Sequence, residues 1–453
     1  MTTQAVHPAE EFDWTPQPAA AEFLAELLDR FRRQCPAIVA LERRLLAETG
    51  TRLVDWIDHL ALPSAEAPAE RLTDLGFEAF GSGPWTVWRQ PRGLFPPVHA
   101  HHGIRPHLAL RVESVADFMV ADFIVANRLD DARIEGEPLA QVRKTRFFAG
   151  QQADLWAFER HGSQQFDPAP IADTQIAAAQ TRAVLQHREA FRRRKRNFAV
   201  EREGFDHASD LVRAAAAHLG TDWACDLFFA AEREYWQSRN TAGRVQKARQ
   251  DRLGLGWANH DHHTYRSSRD HFTRLIRVLE QLGFVCRERF YGGHGAGWGA
   301  QVLEQPACGI VIFADVDLTP EEVTGDFAHE PLPDEKRLGT VGLWCKLHGE
   351  AFLQAGMHHL ECQFDFDAAR DQLRELGIQT MKPFTDFPYL KQAFTAGDTW
   401  QVDPQRLDRA LADGSISPEQ AKQFRRSGVI GSHLEILQRD DGYKGFRTYP
   451  RTS

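Results

Sequence analysis

The sequence has few cysteines and no long apolar run. Its six cysteines are scattered without a Cys-x-x-Cys pair. No stretch of the sequence comes close to the roughly eighteen consecutive apolar residues that a transmembrane helix requires. The first residues (MTTQAVHPAEEFDW) show neither the charged nor the apolar region of a signal peptide. These absences predict a cytoplasmic protein with free thiols.

The sequence also lacks an excess of positive charge. It carries 54 Lys and Arg against 63 Asp and Glu, a net charge of -9. We therefore expect neither a nucleic-acid partner nor binding to an acidic membrane surface. The one strongly basic run, residues 188–196 (REAFRRRKR), stands beside Glu189, Glu201 and Glu203. This mixture favours a solvated helix face over a phosphate-binding patch.

The length and composition are those of a globular protein with more than one part. A chain of 453 residues with 42% hydrophobic residues can bury two cores, or one core with a large helical extension. We predict a disordered lead-in over residues 1–20 and a helix-rich α+β region of unknown role over residues 21–250. Residues 251–453 are then expected to form a metal-binding catalytic domain.

The N-terminal region is predicted from its periodicity. Three stretches, FLAELLDRFRRQ, AIVALERRLLAE and LVDWIDHLAL, have the spacing of amphipathic helices and are separated by Pro36 and Gly50. Short strands are expected over residues 75–112, followed by a hairpin formed by TRFFAG and DLWAFER. Residues 174–251 are again helical in pattern.

Residues 257–446 contain one strand-helix-strand pattern twice. The first copy reads DHHTYRSS, RDHFTRLIRVLEQLG and FVCRERFY, and the second reads MHHLECQFD, DAARDQLRELG and IQTMKPF. Gly283 and Gly377 follow the last apolar residue of each helix, where a left-handed C-cap turns the chain back. Two further strands are expected in GIVIFADV and SHLEILQR. The repeat predicts a sheet built from paired modules.

Three of these strands carry one ligand-type residue each on a shared face. Alternation along a strand places His262, His359 and Glu435 there. Two imidazoles and one carboxylate form the facial triad of non-haem Fe(II) oxygenases, which leaves coordination positions open for substrate and O₂. Arg266 follows His262 by four residues and could grip a substrate carboxylate. The adjacent His263 and His358 face the other side, and a register error of one residue would exchange them with the predicted ligands.

Four segments, DHHTYRS, IFADVDLTPEE, GMHHLECQFD and SHLEILQRDDGYKGF, resemble the 2-oxoadipate dioxygenase/decarboxylase family. The resemblance implies an α+β, vicinal-oxygen-chelate-like fold with paired modules around a metal site. It also implies an Fe(II) enzyme that takes a small 2-oxo acid and O₂, releases CO₂ and gives a hydroxy acid. The family's metal ligands fall on His262, His359 and Glu435, and its catalytic, carboxylate-binding arginine falls on Arg266. Residues 1–250 show no such match, and His358 stands where the family usually has asparagine.

Three other hypotheses stay open from the sequence. The same scaffold could hold Mn, Zn or Ni for an oxygen-independent lyase, isomerase or hydrolase. A cluster in the segment VHAHHGIRPH could bind a metal instead, through residues of the set His99, His101, His102 and His107. The chain could also be a non-catalytic binding module. The loop GGHGAGWG is either a lid or a hairpin turn, and the sequence leaves open whether copies associate into a homo-oligomer.

Overall fold

The computed structural model describes residues 15–80, 85–165, 178–293, 295–335 and 338–444. Residues 1–14 of the predicted lead-in therefore lie outside the described residues, and a helix already begins at Pro18. Helices pack on two mixed sheets, which confirms the expected α+β class. The described cysteines are free, as predicted. No helix among the described residues is long and apolar enough to cross a lipid bilayer.

The helices of the described residues are numbered in chain order. They are α1 Pro18–Gln34, α2 Pro36–Thr49, α3 Ala69–Asp74, α4 Val115–Val120, α5 Asp122–Asn127, α6 Ala178–Arg193, α7 Glu201–Leu219, α8 Thr221–Ser238, α9 Thr241–Asp251, α10 Phe272–Gln281, α11 Thr340–His348, α12 Phe366–Glu375, α13 Pro404–Ala412 and α14 Pro418–Ser427.

The strands are numbered in the same way. They are β1 Ile57–Pro63, β2 Glu78–Phe80, β3 Thr86–Arg89, β4 Val98–His101, β5 His107–Arg111, β6 Val142–Ala149, β7 Asp154–Arg160, β8 His260–Arg266, β9 Val285–Tyr291, β10 Trp298–Gln305, β11 Ile310–Asp317, β12 His359–Gln363, β13 Thr385–Phe387, β14 Leu390–Phe394, β15 Asp398–Trp400 and β16 Val429–Arg439.

The two sheets share one pairing pattern. The first has the order β2-β3-β4-β1-β5-β7-β6, and the second has the order β13-β14-β16-β12-β8-β11-β10-β9, with β15 on β16. In the first sheet the antiparallel pair β1 and β5 is flanked by parallel β4 and β7. In the second sheet β8 and β12 form the antiparallel pair, flanked by parallel β11 and β16. Each strand near the metal-ligand candidates therefore has a counterpart in the first sheet.

The prediction of a third helix in LVDWIDHLAL is wrong. A 3-10 turn, Leu53–Trp56, leads directly into β1, whose residues 59–62 are buried. A short apolar stretch that is buried in the centre of a sheet cannot be told from a helix by periodicity alone. The short strands expected over residues 75–112 are present, and they place His99 and His101 on β4 and His107 on β5.

The predicted repeat in the second half is confirmed in the first copy and partly wrong in the second. β8, α10 and β9 follow the predicted order, and Gly283 and Gly377 have φ angles of +84° and +82°, as the C-caps require. The predicted strand IQTMKPF forms only an isolated bridge from Thr380 to Thr395. Pro383 lacks the N–H that a strand interior needs, and pairing begins after it, at β13.

The basic run differs from its prediction as a solvated helix face. Arg192 pairs with the exposed Glu234, but the side chains of Arg194 and Arg196 turn inward. Both donate to Glu232 of α8, whose side chain is fully buried. The composition of the run could not reveal that these two side chains are buried, because their carboxylate partner, Glu232, lies on α8.

His161 links the first sheet to the helical layer, and its contribution to stability should depend on pH. It lies directly after β7, with Nδ1 2.8 Å from Asp226 of α8 and Nε2 2.9 Å from Glu159. Burial lowers the pKa of His161, but the two carboxylates outweigh it and raise the pKa from 6.5 to about 10. A folded-state pKa above the unfolded value means that this stabilisation is complete below pH 6.5 and is lost as the pH rises through about 10.

We therefore expect the stability difference between the unmodified chain and His161→Gln to shrink as the pH is raised from 7 to 10. Urea unfolding of both chains at each pH measures this difference. Comparing the two chains removes the titration of other groups, and a difference that does not change with pH would contradict the expectation.

Candidate metal centre

The predicted ligands lie on three adjacent strands of the second sheet. Glu361 of β12 stands opposite His262 of β8 on one side and opposite Glu435 of β16 on the other. His359 lies two residues before Glu361, opposite Thr264 and on the same face of the sheet. The pairing therefore gathers two imidazoles and two carboxylates on one face.

The structure brings the three sequence-predicted ligands together. One ligand atom each from His262, His359 and Glu435 lies within 4.8 Å of the other two. His359 Nε2 lies 2.8 Å from Glu435 Oε2, and the two histidine rings have centroids 6.1 Å apart. All three residues are buried. Their role as metal ligands stays a proposal, which the function below depends on.

Glu361 is a second carboxylate on this face, and the sequence did not identify it as a candidate ligand. Its Oε1 lies at an ion-pair distance of 3.0 Å from His262 Nδ1, and Oε1 has no hydrogen-bond partner among the described residues. The amide of Gln392 donates to Glu361 Oε2 at 3.1 Å and to Glu435 Oε1 at 3.3 Å. A second possible ligand group, Asp261, His262 and Glu361, meets the same distance limit of 4.8 Å.

The charges in this cluster fit a divalent cation. Burial raises the pKa of Glu435 well above its ordinary value, and the neighbouring carboxylates of Glu361 and Asp261 raise it further. Burial lowers the pKa of His262, but Glu361 and Asp261 outweigh it and raise the pKa to about 9. Buried carboxylates held next to one another are costly unless a cation joins them. The unsatisfied Glu361 Oε1 and the close approach of these carboxylates fit a ligand set for a divalent cation.

The two neighbouring histidines take other roles. His263 lies on the opposite face, where Arg233 Nη1 is 3.3 Å from its Nε2 and its ring meets Phe229 edge to face. His358 Nδ1 lies 2.8 Å from His359 Nδ1 and so occupies the ring nitrogen of His359 that points away from Glu435. A partner on the distal nitrogen of a histidine fixes the orientation of the other nitrogen.

A cavity of about 200 Å³ opens beside the candidate ligands. Its volume is below the about 300 Å³ at which pockets for drug-sized ligands begin, so it suits a small molecule. Aromatic side chains form much of its wall. They are Phe290, Trp298, Phe313, Phe384, Phe394 and Tyr443.

Arg266, the predicted carboxylate-binding residue, lies beside this cavity rather than in its lining. Its Nε is 3.8 Å from Oδ2 of Asp315, the residue opposite it on β11, and its guanidinium stands 5.6 Å from the centroid of the Trp344 ring. Asp315 does line the cavity. Burial raises the pKa of Asp315 to about 7, although Arg266 and His262 oppose the rise.

Arg439 is a cavity residue that sequence reasoning missed as a functional candidate. Its Nη2 donates to Asp261 Oδ2 at 2.8 Å, and its Nη1 donates to the Tyr443 carbonyl at 2.7 Å. Arg439 follows Glu435 by four residues, as Arg266 follows His262. This shared spacing is the signal that could have identified it.

The first sheet contains a counterpart of this site without its carboxylates. In strand register, His59 and His107 correspond to His262 and His359, whereas Ala109 and Trp156 stand where Glu361 and Glu435 lie. Burial lowers the pKa of His59, and it lowers the pKa of His107 to about 3. Neither imidazole faces a carboxylate at those two positions, although His59 Nδ1 lies 2.6 Å from Asp58 Oδ2.

The histidines of VHAHHGIRPH do not gather at one point. His99 lies next to His59, with ring centroids 4.5 Å apart, whereas His101 stacks on Trp85. His102 is exposed. Lys144 of β6 corresponds in register to Gln392, so a buried ammonium group lies on this side of the first sheet. The arrangement does not favour the N-terminal histidines as a metal site.

The comparisons with known proteins do not assign an activity to this chain. No family model and no curated protein matches the chain. The chain shares similarity with several solved structures.

The first is the uncharacterized protein YdcJ from Shigella flexneri, which includes domain DUF1338, at 13% identity over 53% of this chain and 72% of that chain, with a TM-score of 0.23. The second is a mutant 4-hydroxymandelate synthase from Streptomyces coelicolor, at 11% identity over 86% and 94% of the two chains, with a TM-score of 0.24. The third is the Mn(II)-bound glyoxalase from Novosphingobium aromaticivorans, at 10% identity over 88% and 86%, with a TM-score of 0.19. At these values the comparisons assign neither substrate nor metal to this chain.

Proposed function

We propose that this chain is a non-haem Fe(II)-dependent dioxygenase that decarboxylates a small 2-oxo acid, 2-oxoadipate-like in size and charge, and releases CO₂ and a hydroxy acid. The observation that carries the proposal is the convergence of His262, His359 and Glu435 within 4.8 Å on one face of the sheet, beside a small cavity. Two imidazoles and one carboxylate are the donor set of facial-triad iron oxygenases, and they are too few for a closed structural site.

In this proposal two of the three ligands are held by a second residue. His358 occupies Nδ1 of His359, and the Gln392 amide donates to Glu435, so the coordinating atoms keep their orientation without the ion. When bound, Fe(II) supplies a redox-active centre at which the 2-oxo acid and O₂ can meet.

The cavity walls exclude water from the reacting groups. The rings of Phe313 and Phe394 lie against the two histidines, with centroids 4.4 Å from His262 and 5.0 Å from His359. An apolar wall strengthens every charge interaction inside it and limits side reactions with water. The same walls limit the substrate to a short carbon chain.

We propose Arg266 as the catalytic and substrate-binding residue that takes a carboxylate of the acid. Since the pKa of Asp315 is about 7, its carboxyl is neutral in part of the molecules near neutral pH. In those molecules Arg266 lacks a full counter-charge, which a substrate carboxylate at the Asp315 end of the cavity can supply.

Oxygen uptake tests this function directly. We expect the anaerobically purified chain, given one equivalent of Fe(II), to consume O₂ only when a 2-oxo acid is present, with one CO₂ released per O₂. The panel should run from 2-oxobutyrate to 2-oxoadipate, with the corresponding saturated acids as controls, and with Mn(II), Zn(II) and Ni(II) in place of Fe(II).

Two outcomes would overturn the proposal. Tight metal binding without oxygen uptake on any acid would leave the oxygen-independent lyase, isomerase or hydrolase. A folded chain that binds none of the four metals would leave a non-catalytic binding module.

A further inference from the structure

A second cavity lies between the two sheets, behind the wall of the first. Its volume is about 320 Å³, and its lining combines residues around β1 and β5 with residues of β8, β11 and β16. Phe313 and Arg439 line both cavities, so one layer of side chains separates them.

Three guanidinium groups line this second cavity, and two of them are neutralised by carboxylates. Arg287 donates twice to Glu288, both at 2.7 Å, and Arg439 donates to Asp261 at 2.8 Å. The third, Arg111, donates from Nη2 to the Cys308 carbonyl at 3.1 Å. Within the described part of the chain, no Asp or Glu oxygen lies within the 4.0 Å of an ion pair with Arg111. Burial lowers the pKa of Arg111, which reflects the cost of keeping this charge away from water.

A buried cation that forms no ion pair is costly unless an anion joins it, and the carboxylates that act on Arg111, those of Asp58 and Asp226, do so from beyond ion-pair distance. His260 lines the same cavity, and its Nδ1 is buried with no hydrogen-bond partner among the described residues. This unsatisfied ring nitrogen beside a guanidinium that forms no ion pair indicates a site for a polar, negatively charged ligand. The lining also includes the apolar side chains of Val54, Ile57 and Phe95. The lining therefore suits a ligand with a carbon chain.

We propose that the cavity between the sheets binds a small organic carboxylate, with Arg111 as the partner of its negative charge. The apolar side chains of the lining favour an aliphatic carboxylate over inorganic phosphate, which has no carbon chain to place there. The binding does not depend on iron or on the proposed oxygen chemistry. Because the site shares Phe313 and Arg439 with the first cavity, an acid bound there lies one side-chain layer from the metal centre.

Calorimetric titration with adipate tests this site in the full-length chain carrying His359→Ala, without added metal. We expect adipate to bind in that background, and Arg111→Met to weaken the binding at least about tenfold, since contacts between charged groups contribute this much. Arg128→Met is the matched control, because Arg128 also donates to a backbone carbonyl, that of Met119, and lies outside the cavity. It should leave the affinity unchanged.

Several outcomes of this titration would overturn the proposal. Absence of adipate binding, or binding that survives Arg111→Met, would remove the site. Inorganic phosphate that binds as tightly as adipate would overturn the assignment to a carboxylate. If Arg111→Met does not fold, Arg111→Lys takes its place and should retain part of the binding, because it keeps the charge but loses the planar donors; unchanged affinity would then contradict the role of the guanidinium. None of these results bears on oxygen uptake, so the two proposals can fail separately.

Discussion

Glu435→Ala should weaken Fe(II) binding by at least about a hundredfold and abolish oxygen uptake, since it removes the one carboxylate of the ligand set. His359→Ala should do the same. Glu361→Gln should cost about tenfold or less, because it keeps the shape of the side chain and leaves the three predicted ligands in place. The difference between Glu435 and Glu361 is informative because the two stand side by side in register and both accept from Gln392.

Glu435 is favoured over Glu361 as the third ligand because of the charged side chains that already pair with the other residues of each set. The competing set of Asp261, His262 and Glu361 needs Asp261 as a ligand. Asp261 already accepts from Arg439, and although burial raises the pKa of Asp261, Arg439 outweighs it and holds the pKa below its ordinary value. Glu435 has no arginine partner within the described residues, and its nearest basic group is His359 at 2.8 Å.

Equilibrium titration of the metal-free variants with Mn(II), followed by electron paramagnetic resonance, measures the affinities without oxygen chemistry. Melting temperatures of the same metal-free chains show whether each variant is folded. A Glu361→Gln chain that loses the metal, beside a Glu435→Ala chain that keeps it, would transfer the site to Asp261, His262 and Glu361.

The strand-helix-strand repeat could be predicted from the sequence because its information is local. Gly283 and Gly377 mark helix ends, and alternation places His262, His359 and Glu435 on strand faces. The choice between Glu361 and Glu435 could not be made in the same way. Both project to one face, and their relation to His262 depends on strand register between residues far apart in the chain.

Strand β1, which lies at the centre of the first sheet, was missed for a related reason. Asp58 and His59 repeat the Asp-His pair of residues 261 and 262, but the surrounding LVDWIDHLAL has a spacing that also suits a helix. In the structure Arg160 pairs with Asp58 through two bonds of 2.7 Å, as Arg439 pairs with Asp261 in the second sheet. The correspondence becomes visible only once the strands are paired.

Glu232→Ala is expected to lower the free energy of unfolding by about 3–5 kcal/mol, because it leaves buried guanidinium charge without its partner. Glu232 has no exposed surface and accepts from Arg196 at 2.6 Å and from Arg194. Burial raises the pKa of Glu232, but the two arginines outweigh it and hold the pKa below its ordinary value. Urea unfolding measures the loss, and Glu232→Gln keeps the shape if the alanine variant does not fold.

Glu234→Ala provides the matched control for this prediction. Glu234 lies on the same helix and pairs with Arg192 of the same basic run, but its side chain is 55% exposed. An exposed ion pair contributes about 0–1 kcal/mol, so this variant should remain close to the unmodified chain. Equal losses at positions 232 and 234 would contradict the distinction between the buried and exposed pairs.

The effect of Glu232 should extend to the metal centre through one strand. Tyr265 of β8 donates to Glu232 Oε2 at 3.3 Å, and β8 carries His262 on its other face. Helix α8 also places Arg233 against His263. Since the helical layer holds β8 from behind, the Glu232→Ala chain should bind Mn(II) more weakly than the Glu234→Ala chain does, although neither residue approaches the ligands. Equal Mn(II) affinities in two folded variants would mean that β8 keeps its position without this support.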